Sequence, residues 1–169
     1  MTFDQKTVVI GAASGVVAMS ISLWLLTRLL PDPEATDLAG RIGYALIWNA
    51  VAALPLFAML VAIANARFAS EAIDPMLGRE SARMAVDARV ASNTLEQFVL
   101  FVVATLALAA AVDGSSVKIV GAAAITFVVM RLAFWVGYRV KPVYRAFGFA
   151  STAFMNAGLL VAAIWLGLR

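Results

Sequence analysis

Five long apolar segments divide the chain; three of the polar connections between them are short, and the fourth, from Arg67 to Ser92, is long. The segments run from Thr7 to Leu30, Arg41 to Ala66, Asn93 to Val112, Val117 to Tyr138 and Ala146 to Leu168. Each is close to or above the roughly 20 apolar residues that a helix needs to cross the hydrocarbon core of a bilayer. The pattern therefore predicts an all-α integral membrane protein, a bundle of five transmembrane helices.

The amino-acid composition supports a membrane protein and excludes several kinds of chemistry. Of the 169 residues, 63% are hydrophobic and 14% are charged, against about 45–50% and about 25% in soluble domains. The chain has no Cys and no His, which removes disulfides, thiolate nucleophiles, and the usual metal ligand and general base. The net charge of +3 is better explained by membrane topology than by nucleic-acid binding.

The distribution of Lys and Arg predicts the orientation in the membrane. With five spans, eight of these residues fall on the side of the N-terminus and four on the other, while Arg131 lies inside a span. The positive-inside rule then places the N-terminus in the cytoplasm and the C-terminus outside, which fits a bacterial inner membrane. A signal peptide is the competing interpretation of the first segment, but its apolar region would normally have about 7–15 residues. Thr7 to Leu30 is longer, so a retained helix is expected.

A polar stripe marks the start of the third apolar segment, on a helix expected to begin near Glu80 and to continue into the span. Arg89, Asn93 and Glu96 are spaced i, i+4 and i+7, which places them within roughly 60° of one another on a helix. An acid or an arginine toward the centre of a membrane helix costs on the order of 2.5–3.5 kcal/mol. The stripe is therefore expected to face protein, water or a ligand rather than lipid.

A second polar set lies on the fourth segment and just beyond it. Arg131, Tyr138 and Arg145 are spaced i, i+7 and i+14, but Pro142 is expected to end the helix and leave Arg145 at the start of the fifth span. Arg131 lies within its span, so it needs a partner, and Glu96 is the predicted one. Such a pair has two interpretations, a structural tie between helices or part of a binding site.

Together the two sets offer groups that suit a small zwitterionic or anionic ligand. They comprise three guanidinium groups, one amide, one carboxylate and one phenol: Arg89, Asn93, Glu96, Arg131, Tyr138 and Arg145. Arginine pairs bidentately with carboxylates, and glutamate accepts hydrogen bonds from an ammonium group. Glutathione, which has two carboxylates, an amine and a thiol, matches this set. Thiol chemistry would use the ligand's own thiol, and a nearby arginine or tyrosine hydroxyl would favour its thiolate form.

The order of these residues resembles the MAPEG superfamily, the membrane-associated proteins of eicosanoid and glutathione metabolism. The resemblance rests on Arg-x-x-x-Asn-x-x-Glu at residues 89–96, followed one span later by Arg131, Tyr138 and Arg145, and covers roughly residues 41–169. It implies a four-helix membrane domain that assembles as a homotrimer and binds glutathione, as a co-substrate, between protomers near the cytosolic face. Residues 1–40 would then be an extra helix and a short acidic loop in a five-helix variant.

The resemblance also implies a role for each polar residue. Arg89, Asn93, Glu96, Arg131 and Tyr138 match ligand-binding positions, although only some members have the arginine at 131. Arg145 matches the catalytic arginine that stabilises the glutathione thiolate. The implied function is a glutathione-dependent membrane transferase or peroxidase that acts on hydrophobic electrophiles or lipid peroxides. The alternative is a non-catalytic protein on the same fold that binds glutathione, another anion or lipid.

Four positions depart from the family pattern. Gln97 stands where some members have a tyrosine, and Phe134 stands where many have a tyrosine or a histidine. Ala91 stands where a polar residue is common, and Ala146 replaces the serine of the prostaglandin synthase. Fewer polar groups imply weaker glutathione binding or a different ligand, and Ala146 argues against the isomerase chemistry. A small-solute carrier is a further alternative, but five spans fit poorly with the matched halves of an inverted-repeat transporter.

Overall fold

Five long helices form the fold in the computed structural model, which describes residues 1–35 and 37–169. They are α1 Phe3–Leu29, α2 Leu38–Phe68, α3 Ala82–Ala111, α4 Lys118–Val140 and α5 Arg145–Gly167. All five are long and apolar enough to cross a membrane, and the described residues contain no strand. The predicted fold class, an all-α integral membrane bundle of five helices, is confirmed.

Side-chain caps account for where the first three helices begin. Thr2, Asp37 and Ser81 are their N-caps, and each side-chain oxygen accepts a hydrogen bond from a backbone N–H of the first turn. Each bond satisfies a donor that a helix start leaves without an intrahelical partner. α3 therefore starts well before the third apolar segment and carries the polar stripe on a continuous helix, as predicted. Thr36, in the predicted acidic loop, lies outside the described residues.

Helix α4 lies at the centre of the bundle and contacts each of the other four helices. Its most buried turn is made of small side chains, since Ala122, Ala123 and Ala124 are all fully buried. Small residues allow the close backbone approach that holds membrane helices together where lipid supplies no hydrophobic driving force. α1 packs against α4 and α5, so the helix outside the four-helix core is part of the bundle.

Hydrogen bonds link the outer helices to the central ones within the apolar core. The Thr105 hydroxyl on α3 donates to the side-chain oxygen of Asn49 on α2 at 2.9 Å. On the other side, the hydroxyls of Ser22 on α1 and Thr126 on α4 lie 2.8 Å apart. Such bonds contribute on average about 0.6 kcal/mol in membranes. Their main effect is to fix how α1 and α2 lie along the bundle.

An ion pair between the buried Asp87 and the more exposed Arg139 joins α3 to α4 at the end of the bundle where α3 begins. The Asp87 carboxylate is only 3% exposed and accepts two hydrogen bonds of 2.7 Å from the Arg139 guanidinium. Trp135, also on α4, donates its indole N–H to the same carboxylate at 2.7 Å. A buried charge is tolerated when it is paired and hydrogen-bonded in this way. The contact fixes the relative position of the two helices that carry the polar sets.

Gly148 lies where α5 comes too close to α4 for any side chain. A Cβ there would be 2.4 Å from the Met130 carbonyl oxygen and 2.7 Å from the Phe134 Cβ. Gly148→Ala is therefore expected to lower the free energy of unfolding in detergent by about 1–3 kcal/mol, as overpacking does. Gly158→Ala on the same helix is the matched control, because nothing lies within 4 Å of its Cβ position. Equal losses in the two variants would contradict this packing.

Candidate functional site

A cleft of about 500 Å³ opens at the end of the bundle that holds the start of α3 and the turn between α4 and α5. Its polar lining consists of four of the six predicted site residues, Arg89, Asn93, Tyr138 and Arg145. Its apolar lining consists of Val8, Phe134, Pro142, Val143, Ala146 and Phe149. The volume lies in the range of about 300–1,000 Å³ typical of small-molecule sites. Among the residues that the structure describes, two guanidinium groups and no carboxylate line the cleft, so it favours an anionic ligand.

The turn between α4 and α5 brings Arg145 next to Tyr138. α4 ends just before Pro142, which has no backbone N–H to continue a helix, and α5 begins at Arg145 as predicted. Gly137 permits the tight return, since a Cβ there would lie 2.9 Å from the Tyr144 carbonyl oxygen. The Arg145 guanidinium carbon consequently lies 5.1 Å from the centre of the Tyr138 ring, within cation–π distance.

Arg131 lies beneath the cleft rather than in its lining, and its side chain is fully buried. The guanidinium donates to the hydroxyl of Thr94 on α3 at 2.9 and 3.2 Å and to that of Thr152 on α5 at 3.0 Å. A further N–H donates to the side-chain oxygen of Asn93 at 2.9 Å. The Phe134 ring centre lies 4.1 Å from the guanidinium carbon. Neutral oxygens and one aromatic face thus stabilise this charge.

The direct Arg131–Glu96 ion pair predicted from the sequence is wrong. Asn93 stands between the two residues, because its oxygen accepts from Arg131 and its Nδ2 donates to the Glu96 carboxylate at 3.3 Å. The physical reason is helical register. Thr94 and Glu96 lie about 200° apart around α3, so the helix turns Thr94 toward Arg131 and Glu96 outward. Arg131 instead donates a hydrogen bond to the side-chain amide of Asn93, which lines the cleft.

Arg89 and Glu96 lie on the open side of the site and are exposed in the single chain. Arg89 lines the cleft, whereas Glu96 lies just outside the lining, next to Asn93. Within the described part of the chain, neither Arg89 nor Arg145 forms an ion pair. Both guanidinium groups are therefore open to a ligand's negative charges.

Two departures from the family pattern have structural explanations. The buried Gln97 accepts hydrogen bonds from the Asn156 amide at its side-chain oxygen, 3.0 Å away, and at its backbone oxygen, 2.9 Å away, which ties α3 to α5. Phe134 fills the space between Arg131 and Tyr138, and its ring meets the Tyr138 ring edge to face at 5.9 Å. Gln97 therefore joins two helices that carry site residues, and Phe134 packs directly against Arg131 and Tyr138.

Sequence reasoning missed three residues on which the site depends, Thr94, Thr152 and Val8. Isolated threonines in apolar helices commonly bond their own backbone, and Thr152 does so while also accepting from Arg131. Nothing in the sequence therefore distinguished these two as partners of a buried cation. Val8 is one of many apolar residues in its segment, and only the packing of α1 reveals its position in the cleft.

Comparison with known protein families matches the part of the chain that forms most of the cleft. The family model described as MAPEG family matches residues 45–165, which is more than half of the chain. This range includes most of α2, the whole of α3 and α4 and nearly all of α5, and it leaves α1 outside. No curated protein and no solved structure matches the chain.

Proposed function

We propose that this chain, which belongs to the MAPEG family, is a glutathione-dependent membrane transferase or peroxidase that acts on hydrophobic electrophiles or lipid peroxides. The observation that carries the proposal is the cleft itself, in which Arg89 and Arg145, two arginines that form no ion pair with a described residue, lie beside the Asn93 amide and the Tyr138 phenol. Charge, hydrogen-bonding groups and volume all suit a small peptide with carboxylates and a thiol.

Each polar residue has a role in this proposal that follows from its position. Arg89, at the open side, pairs with a carboxylate of glutathione, and Glu96 accepts hydrogen bonds from its ammonium group. Asn93 and Tyr138 bond the peptide groups. Arg145 contacts the sulfur, and its positive charge stabilises the negative charge of the glutathione thiolate.

The proposed chemistry uses the glutathione thiolate as the nucleophile. In conjugation, the sulfur attacks the electrophilic carbon, a C–S bond forms, and the leaving group departs with the bonding electrons. In peroxide reduction, the sulfur attacks the terminal peroxide oxygen, an S–O bond forms to give glutathione sulfenic acid, and the O–O bond breaks to release an alkoxide that takes a proton from water to become the alcohol. A second glutathione then forms the disulfide and releases water. In both reactions Arg145 stabilises the charge on sulfur before the attack, and the thiol proton passes to water.

The proposal includes a homotrimer in a bacterial inner membrane, with the cleft at the cytoplasmic end. The exposed Glu96 supports an oligomer, because a carboxylate at the mouth of an apolar span is costly next to lipid, on the order of 2.5–3.5 kcal/mol at full depth. A second copy of the chain that covers this side would remove that cost. The excess of Lys and Arg at the cleft end supports the orientation.

A non-catalytic protein that binds glutathione, another anion or lipid is the second candidate. It is favoured by Val8 of α1, which occupies part of the apolar side of the cleft near Arg145 and leaves less room for a second substrate. Turnover separates the two candidates. Glutathione binding without reaction toward any electrophile or peroxide would favour the binding protein.

Asn93→Ala and Glu96→Gln test the binding site directly. Glu96→Gln is expected to weaken glutathione binding at least tenfold, since a hydrogen bond to a charged group contributes about 1.5–3 kcal/mol, and Asn93→Ala to weaken it severalfold, since a neutral hydrogen bond contributes about 0.5–1.5 kcal/mol. Calorimetry on detergent-purified protein measures the affinity. Asn65→Ala and Glu34→Gln make the same chemical changes at exposed positions outside the cleft and are expected to leave the affinity unchanged. Wild-type affinity in both site variants would contradict the site.

A further inference from the structure

Helix α1 lies outside the residues that match the family, yet it contributes to the cleft. It packs against α4 and α5, and Val8 on its second turn lines the cleft together with Arg145, Ala146 and Phe149. Val8 therefore belongs to the apolar side of the cleft, next to the arginine proposed to hold the sulfur. The wall at this point comes from the same chain rather than from a neighbouring subunit.

The position of α1 is set by a close approach to α5 that larger residues would prevent. A Cβ at Gly15 would lie 2.2 Å from the Phe147 carbonyl oxygen, and one at Gly11 would lie 3.5 Å from the Ala146 Cβ. Gly15 thus lets the two backbones touch, and the small Ala146 leaves room for α1 beside the cleft. The alanine that departs from the family pattern at position 146 is part of this packing.

Polar contacts hold α1 at both of its ends. Near the cleft, the Lys141 ammonium lies 3.3 Å from the Asp4 carboxylate and 5.6 Å from the centre of the Phe3 ring. At the far end, Ser22 bonds Thr126. The exposed ion pair contributes little free energy, but together the contacts define one position for the helix and hence for Val8.

We propose that α1 is a wall of the glutathione site and that Val8 limits the length of the hydrophobic group that the sulfur can carry. This proposal rests on the proposed function. The charged side of the cleft, Arg89 and Arg145, holds the peptide and the sulfur, which leaves the apolar side for the second substrate. Because Val8 closes part of that side, we expect the substrates, within the proposed class, to be small hydrophobic electrophiles and short peroxides rather than long-chain lipid peroxides.

A series of S-alkyl glutathiones with chains from methyl to octyl tests this limit. Each methylene that finds apolar room is expected to raise the affinity about fourfold, up to the chain length at which the group meets Val8. Beyond that length the affinity stops rising. Val8→Ala is expected to move the chain length at which the affinity stops rising to a longer chain and Val8→Phe to a shorter one, with each affinity compared with that of the same protein for glutathione itself.

Ile10 supplies the matched control on the same helix. It is 68% exposed and lies about 200° around the helix from Val8, so Ile10→Ala and Ile10→Phe are expected to leave that chain length unchanged. If the wild-type protein does not bind glutathione, the proposed function fails and this proposal fails with it. If glutathione binds but the affinity of the Val8 variants stops rising at the same alkyl chain length as in the wild type, only the assignment of α1 as a wall of the site is wrong.

A labelling experiment tests the same placement without relying on affinities. The chain has no cysteine, so Val8→Cys and Ile10→Cys each introduce a single thiol. Saturating S-hexyl glutathione, which has no free thiol and carries an alkyl group on its sulfur, is expected to slow maleimide labelling of the Val8→Cys protein severalfold and to leave that of the Ile10→Cys protein unchanged. Equal labelling of Val8→Cys with and without this probe, in protein that binds it, would overturn the proposal.

Discussion

Replacing Arg145 with alanine is expected to lower the turnover of glutathione conjugation by about 100- to 1,000-fold, the usual effect of removing one preorganised donor at a developing charge. Arg145 begins α5, lines the cleft and lies 5.1 Å from the centre of the Tyr138 ring. It forms no ion pair with any described residue. Its charge is therefore free to act on the sulfur, while Arg89, Asn93 and Glu96 keep most of the binding.

The Arg145 prediction requires turnover and binding to be measured on the same protein. Glutathione affinity by calorimetry is expected to stay near the wild-type value, and the ultraviolet absorbance of bound thiolate is expected to fall. Arg28→Ala is the matched control, because Arg28 makes a similar contact with Trp24, at 5.3 Å, on a helix end remote from the cleft. Wild-type turnover in the Arg145→Ala protein would contradict the catalytic role.

Replacing Arg131 with alanine is expected to cause the largest loss of stability, on the order of 3–5 kcal/mol, the range for emptying a large buried site. The guanidinium is fully buried and bonds α3 through Thr94 and Asn93 and α5 through Thr152. Its removal leaves a cavity where three helices meet and three oxygens without their donor. The midpoint of unfolding in detergent measures the loss.

A second variant separates the structural role of Arg131 from its effect on the site. Arg131→Met fills most of the volume without a buried charge, so it is expected to regain much of the stability. It does not restore the hydrogen bond to Asn93, so glutathione binding stays weak. If Arg131 acts through Asn93, the Arg131→Met and Asn93→Ala effects on affinity are not additive. Full additivity would mean that Arg131 does not position this amide.

The sequence was sufficient to predict the helices and the grouping of most site residues. Apolar runs near 20 residues leave few alternatives to membrane spans, so all five helices were predicted. Pro142 correctly placed Arg145 at the start of α5, because a proline removes the backbone donor that a continuing helix needs. The spacing of Arg89 and Asn93 correctly put both side chains on one face of α3.

The partners of Arg131 and the position of α1 could not be predicted from the sequence. A buried cation usually has a carboxylate partner, and Glu96 was the nearest candidate, but the rotation of α3 presents Thr94 instead. Hydroxyls within apolar helices carry no distinguishing pattern. The position of α1 depends on the close contact between Gly15 and the backbone of Phe147. Such a contact between two helices cannot be predicted from the sequence of either one alone.

Binding of glutathione to the detergent-purified wild-type protein tests the central claim most directly. A ligand that binds only the folded state stabilises it by about 2.7 kcal/mol at 100 times its dissociation constant, which a thermal shift detects. We expect a clear shift with glutathione that disappears in the Asn93→Ala, Glu96→Gln double variant. The absence of any shift at millimolar glutathione would contradict the claim that this cleft is a glutathione site.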